Sequence, residues 1–195
     1  AYMRHPRILV FSGSIRGGSY NTQLAALVAK QLVLADADVT RISLADYPMP
    51  LYDGDHEREK GVPESAHKLK RLMQEHQGVF IACPEYNTAI TPLLKNTLDW
   101  LSRLKDPGEP AAAAFKGRIF AIGAASPGAL GGIRGLIGTR TILEVGLGAF
   151  LIPEMVMVPH AADAFDAKGD LHNERSMASL DAMVKRFLAE TRARV

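Results

Sequence analysis

Apolar residues along this chain fall into two alternating patterns. Short unbroken runs end at turn residues, as strands buried on both faces do. They are Ile8-Leu9-Val10-Phe11 with Arg7, Val79-Phe80-Ile81-Ala82 with Gly78, and residues 119–124. Residues 39–44 form a weaker run of this kind, and residues 150–158 a fifth, interrupted by Pro153. Between the runs, apolar residues recur every three or four positions, the spacing of a helix with one buried face. Leu24, Leu27, Val28 and Leu32 predict a helix over 22–35. Ala66, Leu69, Leu72 and Met73 predict one opening at Pro63, and Leu94, Leu98 and Leu101 one capped by Thr91 and started by Pro92. Ile133, Leu136, Ile137, Leu143 and Leu147 mark another, and Leu180, Met183, Val184, Phe187 and Leu188 a C-terminal helix. Residues 45–61, rich in Pro, Gly and Asp, read as a long surface loop, and 107–114 as a loose connector. Strands alternating with helices predict an α/β three-layer sandwich, a five-stranded parallel sheet covered on both faces. No internal repeat or boundary divides it, so residues 1–195 are expected to form a single domain.

Composition narrows the functional classes. Hydrophobic residues make up 47% and charged residues 23% of the 195, an ordinary globular balance that excludes a disordered chain. Twenty-three Lys and Arg against 21 Asp and Glu give a net charge of +2, too little for a strong pull toward nucleic acid or an anionic membrane. The single cysteine, Cys83, excludes an internal disulfide framework and any cysteine-rich metal site. No apolar run reaches the roughly 20 residues of a membrane helix, and no signal segment opens the chain, so a cytoplasmic protein is expected.

In an open parallel sheet, ligands bind beyond the carboxyl ends of the strands. Three turns at that edge carry unusual chemistry. The first, residues 12–21, holds three glycines, Ser12, Ser14 and Ser19, and Arg16 and Asn21, just before a helix. Backbone amides, hydroxyls, a guanidinium and a helix start together suit a phosphate. The turn matches neither the P-loop nor the Gly-x-Gly-x-x-Gly pattern, and a plain helix cap is its alternative reading. The second, Pro84-Glu85-Tyr86-Asn87 through Pro92, places an aromatic ring, an acid and an amide where a flat ligand ring could stack and hydrogen-bond. Behind it, Lys95 and Asp99 stand four apart, the spacing of a helix-surface ion pair, and Trp100 reads as a packing residue. The third, Ser126-Pro127-Gly128 through Gly131-Gly132, allows close backbone approach before the next helix. A phosphate at one end and a flat hydrogen-bonding ring at the other describe a mononucleotide such as FMN.

These residues resemble the NADPH-dependent FMN reductase family. The likeness rests on Gly13-Ser14-Ile15-Arg16-x-x-Ser19-x-Asn21, on Pro84-Glu85-Tyr86-Asn87 with Leu94-Lys95-Asn96-x-x-Asp99-Trp100, and on Ser126-x-Gly128-x-x-Gly131-Gly132. It implies a flavodoxin-like fold with strand order 2-1-3-4-5 and FMN as cofactor, with NADPH or NADH as co-substrate. By the same likeness Ser14, Arg16, Ser19 and Asn21 hold the FMN phosphate. Pro84, Glu85, Tyr86 and Asn87 lie along the isoalloxazine and ribityl chain, and Ser126 and Gly128 close over the ring. It further implies a homodimer or homotetramer in which Leu93, Trp100 and Leu101 face the partner, and a small-molecule electron acceptor such as a quinone, azo compound, chromate or free flavin. The segment 88–91 departs from the Gly or Ser common in that family, which bears on the substrate mouth.

Chemistry of this kind belongs to the flavin and demands no catalytic side chain. Cys83, after a buried strand and before Pro84, reads as a buried free thiol, and the six histidines lack metal-ligand spacing. The acidic stretch from Asp53 to Glu64 lacks the sixth-position glycine of a calcium loop and reads as solvated. Two rivals remain: a flavodoxin-type electron carrier, disfavoured by a pI of about 8.7, and a phosphate-accepting regulator, which would need acids where Ser12-Gly13-Ser14 and Cys83-Pro84 stand.

Overall fold

The computed structural model describes residues 5–195. Strand β1 (Arg7–Ser12) leads into helix α1 (Tyr20–Leu34) and strand β2 (Asp38–Arg41). Helices α2 (Gly54–Lys60) and α3 (Glu64–Gln74) precede strand β3 (Gly78–Ala82). A small hairpin, β4 (Glu85–Tyr86) and β5 (Ala89–Ile90), opens helix α4 (Pro92–Ser102). Strand β6 (Ile119–Ala125), helix α5 (Ile133–Thr141), strands β7 (Phe150–Leu151) and β8 (Val156–Val158) and helix α6 (Glu174–Arg192) complete the chain.

The main sheet is parallel, in the order β2-β1-β3-β6, with β7 and β8 sharing the edge beside β6. This is the expected 2-1-3-4-5 order with six strands instead of five. The fifth run is divided near Pro153, which has no N–H for a ladder: β7 pairs the start of β6 and β8 its end. Each central strand is buried on both faces because its side chains alternate. Ile8 and Val10 of β1 pack with Leu24, Val28 and Leu32 of α1 and with Met183 and Phe187 of α6. Leu9 and Phe11 point the other way, into a core with Leu69 and Met73 of α3, Leu94 and Leu98 of α4, and Leu136 of α5.

Several expectations are corrected. The second strand ends at Arg41 instead of residue 44. The stretch 45–61 is not loop throughout, since it contains α2, which has no buried residue. Without an apolar stripe its period is invisible, and polar signals make it: Asp53 accepts the Asp55 amide at 3.0 Å as N-cap, and Arg58 pairs with Asp55. The helix expected to run to Leu147 is α-helical only to Thr141 and widens into a π turn at Ile142–Gly146. Trp100 and Leu101 are buried inside the chain itself, so they present nothing to a partner. Instead, Trp100 Nε1 donates to the Pro50 carbonyl at 2.7 Å, Asn96 Nδ2 donates to the same oxygen, and the Tyr52 ring stands edge-on to the indole. The Lys-Asn-x-x-Asp-Trp segment thus anchors the loop at Pro50, while Lys95 and Asp99 form the expected ion pair.

Nor is the connector before β6 loose. The buried Lys70 ammonium of α3 reaches Asp106 at 2.8 Å and Glu109 at 2.5 Å. With the Asp106 amide and Gln74 adding donors, Lys70 pulls the Glu109 carboxyl down to about 2. A depressed carboxyl stabilises the fold above its ordinary value of 4.5 and loses that contribution as pH falls toward 2. Thermal unfolding followed by circular dichroism should therefore show a melting temperature falling over that window. Glu109→Gln should flatten the dependence, and an unchanged slope would exclude this ion pair as its source.

Candidate functional site

The three turns meet. Ser14, Arg16, Ser19, Asn21, Pro84, Glu85, Tyr86 and Ser126 line one cleft of about 200 Å³ at the carboxyl ends of β1, β3 and β6. Tyr20, Ala125 and Pro127, which lie in the same turns but to which sequence alone gives no ligand role, join them. Asn87 and Gly128 stand outside its lining, Asn87 at the hairpin tip and Gly128 in the turn beyond Ser126. A larger cavity of about 720 Å³, around His5, Arg7 and Val195, lies at the amino ends of the strands, away from this chemistry.

The first turn is folded by its own polar groups. Ser12 Oγ accepts the Ser14 amide at 3.1 Å, and Ser14 Oγ accepts the Arg16 amide at 3.2 Å. Ser19 is the N-cap of α1, yet its hydroxyl makes no capping bond. That hydroxyl and the first amides of α1, which have no partner within a helix, are left for a ligand at the positive end of the helix. Arg16 is exposed, and among the described residues no carboxylate pairs with it. Asn21 is differently engaged: its Nδ2 donates to the Ala125 carbonyl at 2.9 Å and its Oδ1 accepts the Ala125 amide at 3.0 Å. This buried clamp fixes the start of α1 against the end of β6, leaving one amide hydrogen for a ligand.

The second turn is held from both sides. Thr91 Oγ1 accepts the Leu94 amide as the cap of α4 and donates to the Gly13 carbonyl at 2.9 Å. Gly13 allows this approach, since a Cβ there would lie 3.1 Å from both Leu94 and Pro84. Removing the hydroxyl in Thr91→Ala should lower stability by about 1–2 kcal/mol, the range for a lost cap, measured by urea unfolding. A loss under about 0.5 kcal/mol, ordinary for a surface change, would contradict the double role.

Glu85 looks in sequence like a ring contact, but its side chain is only 7% exposed and points into the fold. One oxygen accepts from Arg134 at 2.9 Å and the other from the Gly135 amide at 2.8 Å, in the first turn of α5. Its neighbour Tyr86 is 52% exposed, with its ring at the cleft. Asn87 and Thr88 form the hairpin's two-residue turn at φ +50° and +70°, the twist that joins antiparallel strands. The β-branched Thr88 is strained at that φ. Arg134 and Thr91 do not touch the cleft; they hold the residues that do. The third turn is closed by Ala161 and His160, whose amides donate to the carbonyls of Ser126 and Gly128. Gly132 has φ +84°, and a Cβ there would come within 2.7 Å of Ala124, so the turn requires glycine. Cys83 is fully buried, and burial pushes its thiol up, so it offers no nucleophile.

A parallel sheet in this order, with a donor-rich turn and an aromatic hairpin at one edge, is the architecture of a flavodoxin-like mononucleotide-binding protein. Comparison with known proteins narrows the class. The sequence profile of the NADPH-dependent FMN reductase family matches residues 6–163. A quinone reductase of Escherichia coli K12 is 37% identical over 138 residues, spanning 70% of this chain and 69% of that protein. A 2-hydroxy-1,4-benzoquinone reductase of a Burkholderia species is 30% identical over 194 residues, 96% of this chain and 97% of that one. Among solved structures, the flavoenzyme NAD(P)H:(acceptor) oxidoreductase FerB of Paracoccus denitrificans superposes with a TM-score of 0.77 at 26% identity, over 97% of this chain and 98% of that one. The chain belongs to the NADPH-dependent FMN reductase family, whose members are flavoenzyme oxidoreductases using FMN. The residues present fit that cofactor: a hydroxyl, a guanidinium and helix amides stand open at one end of the cleft and an exposed tyrosine ring at the other. No described helix is long and apolar enough to cross a membrane.

Proposed function

We propose that this protein passes hydride equivalents from NADPH or NADH through bound FMN to a small-molecule acceptor, a quinone above all, by a ping-pong route. One observation carries this: a single cleft joins an end lined by Ser14, Arg16 and Ser19 to an aromatic end, and the one carboxylate lining it, Glu85, is already engaged by Arg134 and Gly135. With no free carboxylate or imidazole among the residues lining the cleft, the protein's task is to bind and orient. Ser14, Arg16 and Ser19 would hold the FMN phosphate, with Asn21 fixing the loop around them. Pro84, Glu85, Tyr86 and Asn87 would border the ribityl chain and ring, with Ser126 and Gly128 on the other side. FMN, when bound, supplies the hydride acceptor and the two-electron donor. Backbone amides at the cleft would favour the negative charge of the reduced ring. Donor and acceptor would take the same open space in turn, so azo compounds, chromate or free flavin are admitted by the same chemistry.

A homodimer or homotetramer of single-domain protomers fits this reading. Trp100 and Leu101 are buried and Leu93 is half-buried, so of the expected three only Leu93 could meet a partner, alongside exposed apolar residues such as Ile137 and Val145, on and just beyond α5. The net charge of +2 disfavours the rival carrier reading, since a carrier usually presents a strongly acidic docking face. Initial rates with NADPH and a 1,4-benzoquinone, varied together, test the reaction order. Parallel double-reciprocal lines are expected, whereas intersecting lines would contradict the shared site.

A further inference from the structure

A second cavity, of about 280 Å³, opens beside the phosphate loop and shares Ser14 with the cleft. It lies at the carboxyl ends of β1 and β2, lined by Ser12, Ser14, Thr22, Arg41 and Ser43, and no acidic side chain lines it. Arg41 is the last residue of β2, exposed, and among the described residues no carboxylate pairs with it.

The hydroxyls are set to donate. Ser12 Oγ accepts the Ser14 amide, Ser14 Oγ accepts the Arg16 amide, and Ser43 Oγ accepts the Ala45 amide at 3.2 Å. With an acceptor position of each oxygen filled from the backbone, the O–H hydrogens of Ser12 and Ser43 stay available, while Ser14 is shared with the cleft proposed for the FMN phosphate. A pocket rich in donors, carrying a guanidinium and lacking carboxylates, selects an anion with several acceptor oxygens.

We infer that this pocket is a second subsite, for a phosphate monoester, on the β2 side of the first turn, with Arg41 as its principal ligand. The inference rests on the reductase reading in one respect: it makes the ribose 2′-phosphate of NADPH the expected occupant, and free phosphate the other source of the same chemistry. Arg41 would then set preference for NADPH over NADH, since NADH lacks that group.

The test uses FMN-loaded protein, in which the first phosphate site is filled. Initial rates are measured with NADPH and with NADH for the natural protein and for Arg41→Ala and Arg41→Lys, alongside calorimetric titration with inorganic phosphate. The ratio of kcat/KM for NADPH over NADH should fall about tenfold or more in Arg41→Ala, as expected for a lost charge-assisted contact, with a smaller fall in Arg41→Lys. An unchanged ratio, with phosphate binding lost in Arg41→Ala, would keep the subsite and assign it to free phosphate. If neither the ratio nor phosphate binding moves, the inference is overturned. Should the protein oxidise neither nucleotide, the reductase reading fails, and the phosphate titration alone decides whether the subsite exists.

Discussion

Arg16→Ala should weaken FMN binding by about tenfold to a hundredfold, the range for losing a charge-assisted bond to a phosphate dianion. Arg16 is exposed, lines the cleft and pairs with no carboxylate among the described residues, so its removal should leave the fold intact. Riboflavin, which has the ring but no phosphate, supplies the control. Its affinity, read by flavin fluorescence quenching, should change less than twofold if the contact is worth only what a surface change is worth to the ring. Equal losses for both flavins would place Arg16 at the ring instead, and no loss for either would remove it from the site.

Glu85→Ala should be the most damaging of the single changes to the cleft. It leaves the Gly135 amide without its acceptor and removes a nearly buried side chain from between the hairpin and α5. Arg134 is half exposed, so its lost ion pair adds little. The orphaned amide and the gap together cost about 2–3 kcal/mol, a drop of about 5–10 °C in melting temperature for a chain of this length. FMN affinity should fall with it, because Pro84 and Tyr86 are carried by the segment that Glu85 pins. Glu85→Gln keeps the shape and one acceptor, and should recover more than half of both losses. If the alanine variant melts within a degree of the natural protein, Glu85 does not hold the hairpin. If it melts lower but binds FMN normally, the hairpin does not shape the site.

The legibility of this fold follows from where its signals reside. Strands β1, β3 and β6 are buried on both faces, so they stand out as unbroken apolar runs. Helices α1, α3, α4 and α6 bury a stripe, which sets their period in the sequence. Helix α2 buries nothing, so only its cap and charges betray it. The strand division near Pro153 depends on how β7 and β8 pair with β6, a tertiary fact.

The site was legible to a similar degree. Glycines and hydroxyls in the first turn suit an anion but also a plain helix cap, and it is the meeting of three such turns at one sheet edge that marks the candidate site. The position of each side chain was less so. Nothing local distinguishes Asn21 as a clamp on Ala125, about a hundred residues away in sequence, from Asn21 as a phosphate ligand. Likewise Glu85 beside Tyr86 reads as a ring contact until Arg134 and Gly135 are brought to it by α5. Trp100 in a helix behind the site resembles an interface anchor until the Pro50 carbonyl meets its indole.

Anaerobic titration of the FMN-loaded protein with NADPH, followed by visible absorption, tests the central claim most directly. Bleaching of the flavin band near its two-electron equivalence, reversed by adding a 1,4-benzoquinone, is the predicted result. A flavin that stays oxidised with both NADPH and NADH would contradict the account and leave an electron carrier in its place.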